Sequence, residues 1–139
     1  MITHLTQQSL TTELYWLVLT LMMTGLFWVP IIVNRISEQG VWVTLASPLI
    51  NADAPWATRL MRAHVNAIEN VVIFAALILM LQIVGANSSL TAAASMFYFY
   101  ARLIHVTSYI FALPVVRTLA FLAGFFCQAI LALTLLGMF

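Results

Sequence analysis

The stretch RLMRAHVNAIEN, Arg59 to Asn70, gathers two arginines, a histidine, two asparagines and a glutamate. At 100° per residue, Arg59, Arg62, Asn66, Glu69 and Asn70 share an arc of about 100° on one helix, with His64 roughly opposite. A second stripe, Tyr98, Arg102, His105 and Tyr109, repeats at helical spacing within an arc of about 60°. Arg117, Phe121, Gly124 and Gln128 make a third. One acid among several arginines, with Asn, Tyr and His, suits a polar, anionic small molecule carrying more than one carboxylate. Guanidinium forks pair with carboxylates, an asparagine reads amides, and a lone glutamate receives an ammonium group. An apolar wall on the lipid side of such a site would admit a hydrophobic second substrate.

Other chemistries find no residues to carry them. His64 and His105 belong to different helices, and no Cys or carboxylate cluster completes a metal ligand set, so no metal site is expected. There is no Ser-His-Asp constellation, no phosphate-cradling glycine loop, and too little basic surface for nucleic acid. Glu69 stands alone, which excludes hydrolysis by paired carboxylates. The single cysteine, Cys127, reads as a small buried hydrophobe.

The elements that position these stripes belong to a membrane. The 139 residues are 64% hydrophobic and only 6% charged, against about 25% charged in an ordinary soluble domain. Mean hydropathy is +1.07. Charge-free runs cover Leu14 to Asn34, Asn70 to Ala101 and Thr118 to Phe139, the middle one broken by GANSS. A spanning helix needs roughly 20 apolar residues, and the alternation of barrel strands is missing. The expectation is a single all-α domain over residues 1–139, a bundle of four transmembrane helices at about 11–35, 55–84, 88–111 and 115–138. Pro30 can kink the first, and Gly40 stops it. Asp53 or Ala54 can cap the second, ahead of Pro55 and an interfacial Trp56. The first loop, about Ile36 to Ala54 and including Trp42 and Pro48, is the longest. Met1 to Thr12 lacks the basic n-region of a signal peptide, so the first segment is expected to stay as a span.

Four spans place Arg35, Arg59, Arg62, Arg102 and Arg117 on one side. The positive-inside rule makes that side cytoplasmic and puts both termini outside, in periplasm or lumen. Snorkelling arginines that only anchor the bundle would account for Arg35 or Arg59 alone. They would not produce shared arcs, nor the depth of Glu69, the innermost charge on its helix and one expected to meet an arginine. His64, off the polar face, is expected to make packing or subunit contacts.

The pattern RxxRAHxNxxEN on the second helix, ARLIHVTSY on the third and the following PVVRT resemble the membrane-associated proteins in eicosanoid and glutathione metabolism. That family includes microsomal glutathione transferases, leukotriene C4 synthase and prostaglandin E synthase. The resemblance spans about Leu14 to Leu136. It implies a homotrimer of four-helix protomers that binds glutathione, as thiol co-substrate, between subunits near the cytoplasmic face. By position, Arg62, Asn66, Glu69, Arg102, His105 and Tyr109 resemble the glutathione-binding set, with Arg35 and Arg59 as looser matches. Arg117 corresponds to the arginine that stabilises the glutathione thiolate, with the Thr118 hydroxyl as a helper. A fixed cation favours a thiolate over its thiol, and a guanidinium cannot lose its own proton. Val65 and Phe121 stand where some members carry arginine and tyrosine, removing two polar contacts.

The expected function is a glutathione-dependent membrane transferase or peroxidase, of the detoxification type, joining the thiolate to a lipophilic electrophile from the bilayer. The rival is a non-catalytic lipid- or partner-binding membrane subunit of the same fold. An ion-coupled transporter fits less well, because the polar groups cluster at one end of uninterrupted helices.

Overall fold

A computed structural model describes residues 10–46 and 54–139. Of these described residues, 87% are helical and none is in a strand, and helices satisfy their own backbone hydrogen bonds in lipid. The order is α1 (Thr12–Leu26), α2 (Trp28–Gln39), α3 (Val41–Ala46), α4 (Pro55–Val84), α5 (Ser89–Ile110) and α6 (Pro114–Leu135).

The first expected helix is two. Pro30 has no N–H for the Leu26 carbonyl and its ring crowds that oxygen, so the helix breaks about a turn upstream, at Phe27. Beyond the break α2 continues past the expected Arg35 to Gln39, because Ser37, Glu38 and Gln39 carry no stop signal. Gly40, at φ +82°, ends it. The expected loop from Ile36 is therefore helical at first, and α3 follows. Residues 1–9, most of the stretch found to lack a basic n-region, lie outside the described residues, as do Pro48 and the proposed cap Asp53. The α4 N-terminus is capped from another helix: the buried Asn34 of α2 accepts the Ala54 N–H through Oδ1 at 2.9 Å.

Local signals set the remaining ends. Pro55 opens α4, and Gly85 in the left-handed region closes it, with the Gly85 and Ala86 N–H groups both donating to the Leu81 carbonyl. A reciprocal Ser88–Thr91 capping box starts α5. A tight turn, in which the Leu113 N–H reaches the Ser108 carbonyl at 2.8 Å, leads to Pro114 in the first turn of α6. The last helix ends at Leu135, three residues short of the expected Met138.

Among the described residues, three spans are long and apolar enough to cross a membrane: Thr12–Gln39, made of α1 and α2 end to end, Pro55–Val84 and Pro114–Leu135. The 22-residue α5 is more polar, and packing explains why. It lies against α1, α4 and α6, and Thr91, Ser95, Arg102, His105 and Ser108 on it are buried. A helix surrounded by helices can carry groups that lipid would penalise. Small residues occur where α5 meets α6, Gly124 against Tyr98 and Arg102 and Ala101 beside Ala120, which lets the backbones approach.

Two apolar clusters bracket the polar residues. Ile31, Leu60, Ala63 and Val106 form the one near the arginine-bearing ends. Leu17, Phe74, Leu77, Ile78, Leu81, Tyr98 and Leu131 are the body of the other. Along α4 the polar Asn66 and Asn70 fall between them. At the far end sits a contact absent from the sequence expectations: Glu13, 3% exposed, accepts a hydrogen bond from Thr91 Oγ1 at 2.5 Å. Thr91→Val would leave that carboxyl buried without its hydroxyl and would also remove the acceptor of the Ser88 N–H in the capping box, a combined cost of about 1–3 kcal/mol. Thermal unfolding in detergent should show a lower midpoint for Thr91→Val and near-parental behaviour for Thr91→Ser; equal midpoints for all three would show that the contact contributes nothing.

Candidate functional site

The site is built around Arg102, which is 2% exposed. Its helix turns it toward α4, where Nη2 donates to Asn66 Oδ1 at 2.7 Å. Its Nε is buried without a partner among the described residues, as is Nδ1 of His105 one turn later. No acidic side chain among the described residues pairs with Arg102, so a full positive charge is held by one amide oxygen.

Packing fixes the stem of that arginine. A Cβ built on Gly124 of α6 would lie 3.6 Å from Arg102 Cδ and 3.7 Å from the Tyr98 ring, so both side chains lie directly against the α6 backbone. Tyr98 stacks on Phe74 at 3.9 Å between centroids. Gln128 completes this floor, with Nε2 donating to the Asn70 carbonyl at 2.9 Å and to the Tyr98 hydroxyl at 3.3 Å. One amide thus joins α4, α5 and α6 below the arginine. Gln128, Gly124 and Tyr98 were visible as members of stripes, but helical spacing alone did not reveal this work.

Toward the arginine-bearing end the site becomes aromatic. His105 meets Tyr109 edge-on at 5.3 Å and Phe121 at 6.1 Å. The Arg117 guanidinium carbon lies 4.7 Å from the Tyr109 ring centroid. Phe121, where a tyrosine was weighed, packs against the imidazole and brings no hydroxyl.

The structure brings Asn66, Arg102, His105, Tyr109 and Arg117 together and leaves the other candidates elsewhere in the protomer. Arg59 donates through Nε to the Ile110 carbonyl at 2.9 Å, satisfying the open end of α5 with a cation where the helix dipole favours one. Arg35, half-buried on α2, reaches the Met61 sulfur at 3.9 Å. Arg62 and Glu69 are exposed and, two turns apart, project along nearly one line of α4. The arginine expected beside Glu69 is not met within the protomer among the described residues: the carboxylate points outward, away from Arg102. Val65 is exposed on the same side of α4. Thr118 is also exposed, its hydroxyl donating to the Pro114 carbonyl at 3.0 Å, and it lines an outer groove with Pro114, Val115 and Leu119. His64 packs edge-on against Phe27 at 6.2 Å. Cys127 is buried and free.

The order of these motifs along the chain agrees with one family model, described as the MAPEG family, which matches residues 13–137. The chain belongs to the MAPEG family. These are the membrane-associated proteins in eicosanoid and glutathione metabolism, and they include glutathione transferases and peroxidases as well as leukotriene C4 synthase. A comparison with curated proteins gave no match. As a MAPEG protein with apolar helices of spanning length, this is an integral membrane protein.

Replacing Asn66 tests the buried charge. Asn66→Leu should destabilise the protein by about 2 kcal/mol, the loss of a hydrogen bond to a charged group, read as a lower unfolding midpoint in detergent. Gly124→Ala should be tolerated, because its methyl would meet neighbours at ordinary contact distance, whereas Gly124→Leu should displace Arg102 and Tyr98. Equal stability of Gly124→Leu and parent would contradict the close packing described.

Proposed function

We propose that this MAPEG protein is a glutathione-dependent membrane enzyme: a transferase that joins the glutathione thiolate to a lipophilic electrophile, or a peroxidase in which two glutathiones are oxidised to their disulfide as a lipophilic hydroperoxide is reduced to alcohol and water. The observation that carries the reading is the pair of arginines, Arg102 one turn before His105 and Arg117 on the ring of its neighbour Tyr109, with no acidic side chain among the described residues paired with either. A recess with uncompensated positive charge suits a ligand with several negative groups. Glutathione supplies two carboxylates, one ammonium and a thiol. Arg102, His105 and Asn66 would hold its anionic end. Arg117 would lie at the sulfur.

The outward Arg62 and Glu69 support a second part of the reading. Charged side chains on a spanning helix face a cavity or another protein surface in preference to lipid. A trimer would let the Arg62–Glu69 edge of one copy face the recess of the next, with Glu69 receiving the ammonium group and Arg35, Arg59 and Thr118 at the margin. The arginine-bearing ends would face the cytoplasm and the termini the opposite side.

In the transferase step the thiol gives up its proton to water, the thiolate pair forms a carbon–sulfur bond, and the electrophile's leaving group departs or its double bond takes the charge. Arg117 contributes by favouring the thiolate, whose ordinary pKa near 8.5 leaves few ions at neutral pH. The second substrate would approach through the groove of about 320 Å³ lined by Pro114, Val115, Thr118 and Leu119, which opens on the turn that carries Arg117. Val65 and Phe121 favour a rival: with two polar contacts gone, the same cleft could serve a non-catalytic lipid- or partner-binding subunit.

Titration of the protein in lipid nanodiscs with glutathione, followed by thiolate absorbance at neutral pH, separates the two. A saturable signal is expected in the parent and its loss in Arg117→Ala. With an electrophile present, turnover of the variant should fall about a hundredfold, as when one transition-state donor is removed, with glutathione affinity changed far less. No signal at millimolar glutathione would sink the enzyme reading in favour of the rival. Native mass measurement should give three copies, and a monomer would overturn the shared site.

A further inference from the structure

The resemblance assigns Tyr109 to the tripeptide, a task for its hydroxyl. The geometry around Arg117 points to a different use. Arg117 stands in the first turn of α6, where the helix dipole repels a cation. Among the described residues, no carboxylate or carbonyl accepts a hydrogen bond from its guanidinium. Its guanidinium carbon lies 4.7 Å from the centroid of the Tyr109 ring, within the range of a cation–π contact.

That ring is itself held. Tyr109 lies near the end of α5, braced edge-on by His105 at 5.3 Å, and His105 is 3% exposed and backed by Phe121 at 6.1 Å. A long arginine side chain has many rotamers, and a site that needs its charge at one point must remove that freedom. A carboxylate would do so while cancelling the charge and occupying the donors. An aromatic face does so and leaves the net charge and the N–H groups available to an anion.

We propose that Tyr109 is a positioning residue whose ring face, not its hydroxyl, is the functional part: it holds the Arg117 guanidinium in place while leaving its positive charge unneutralised. The inference rests on the proposed thiolate-stabilising role of Arg117 for its consequence in catalysis. The ring contact itself does not depend on that role.

The test uses the full-length protein in nanodiscs with ¹⁵N-labelled arginine, of which the chain has five. The Arg117 Nε–H signal is identified by its loss in Arg117→Ala. Ring-current displacement of that signal is expected in the parent and in Tyr109→Phe, and its disappearance in Tyr109→Leu, with Tyr109→Met as the alternative should the leucine variant not fold. In the glutathione titration Tyr109→Phe should keep the thiolate within about twofold of the parent. Tyr109→Leu should lower it about threefold at neutral pH, moving the apparent thiol pKa upward by about one unit. An Arg117 signal indifferent to the ring would overturn the proposal, and so would a phenylalanine variant as impaired as the leucine one. A displaced signal that follows the ring, with no thiolate in any protein, would uphold the positioning and defeat the glutathione reading.

Discussion

Burying one guanidinium inside a lipid-immersed bundle is the constraint around which this protein is arranged. An arginine at the centre of a membrane helix costs about 2.5–3.5 kcal/mol on insertion scales. Arg102 escapes part of that by pointing between helices, where Asn66 meets its end and Gly124 leaves room for its stem. Tyr98, Phe74 and Gln128 seal the space beneath it. These residues come from three helices, so the relative placement of α4, α5 and α6 and the environment of one charge are a single physical problem.

The burden of polarity falls on α5. Its tyrosines, hydroxyls, histidine and arginine would make it a poor lone span, yet its buried face meets α1, α4 and α6 instead of lipid. The other long helices are left apolar. Both ends of α5 are tied: Thr91 to the buried Glu13 of α1, and the Ile110 carbonyl to Arg59 of α4. A helix fixed at both ends can present Arg102, His105 and Tyr109 at defined heights, which a site for an extended ligand requires.

Membership of the MAPEG family accounts for the architecture and the order of the motifs. It leaves the chemistry to individual residues, since one fold hosts several functions. Here the surroundings of His105 are apolar on one side, because Phe121 lies against it. Arg117, in turn, rests on an aromatic ring and keeps its charge. Under the proposed function, a site of this character would take an anionic ligand beside a hydrophobic one.

Much of this was legible in the residues themselves. The bounds of α4, Pro55 and Val84, were expected to the residue, and α5 was expected to begin one residue early. Proline in the first turn, glycine in the left-handed region and a Ser-x-x-Thr cap act within a few residues of chain, so the sequence alone determines them. It also determines which polar residues share a face, because helical spacing sets the angle of each side chain about its own axis. It does not determine how each helix is rotated toward its neighbours. Tertiary packing alone decided that Asn66 meets Arg102 while Glu69 and Arg62, on the same face, point outward, that Arg59 closes α5, and that Glu13 is buried against Thr91. The physical reason is that a hydrogen bond between helices needs positions on both axes at once, and residue spacing along one chain segment specifies only one.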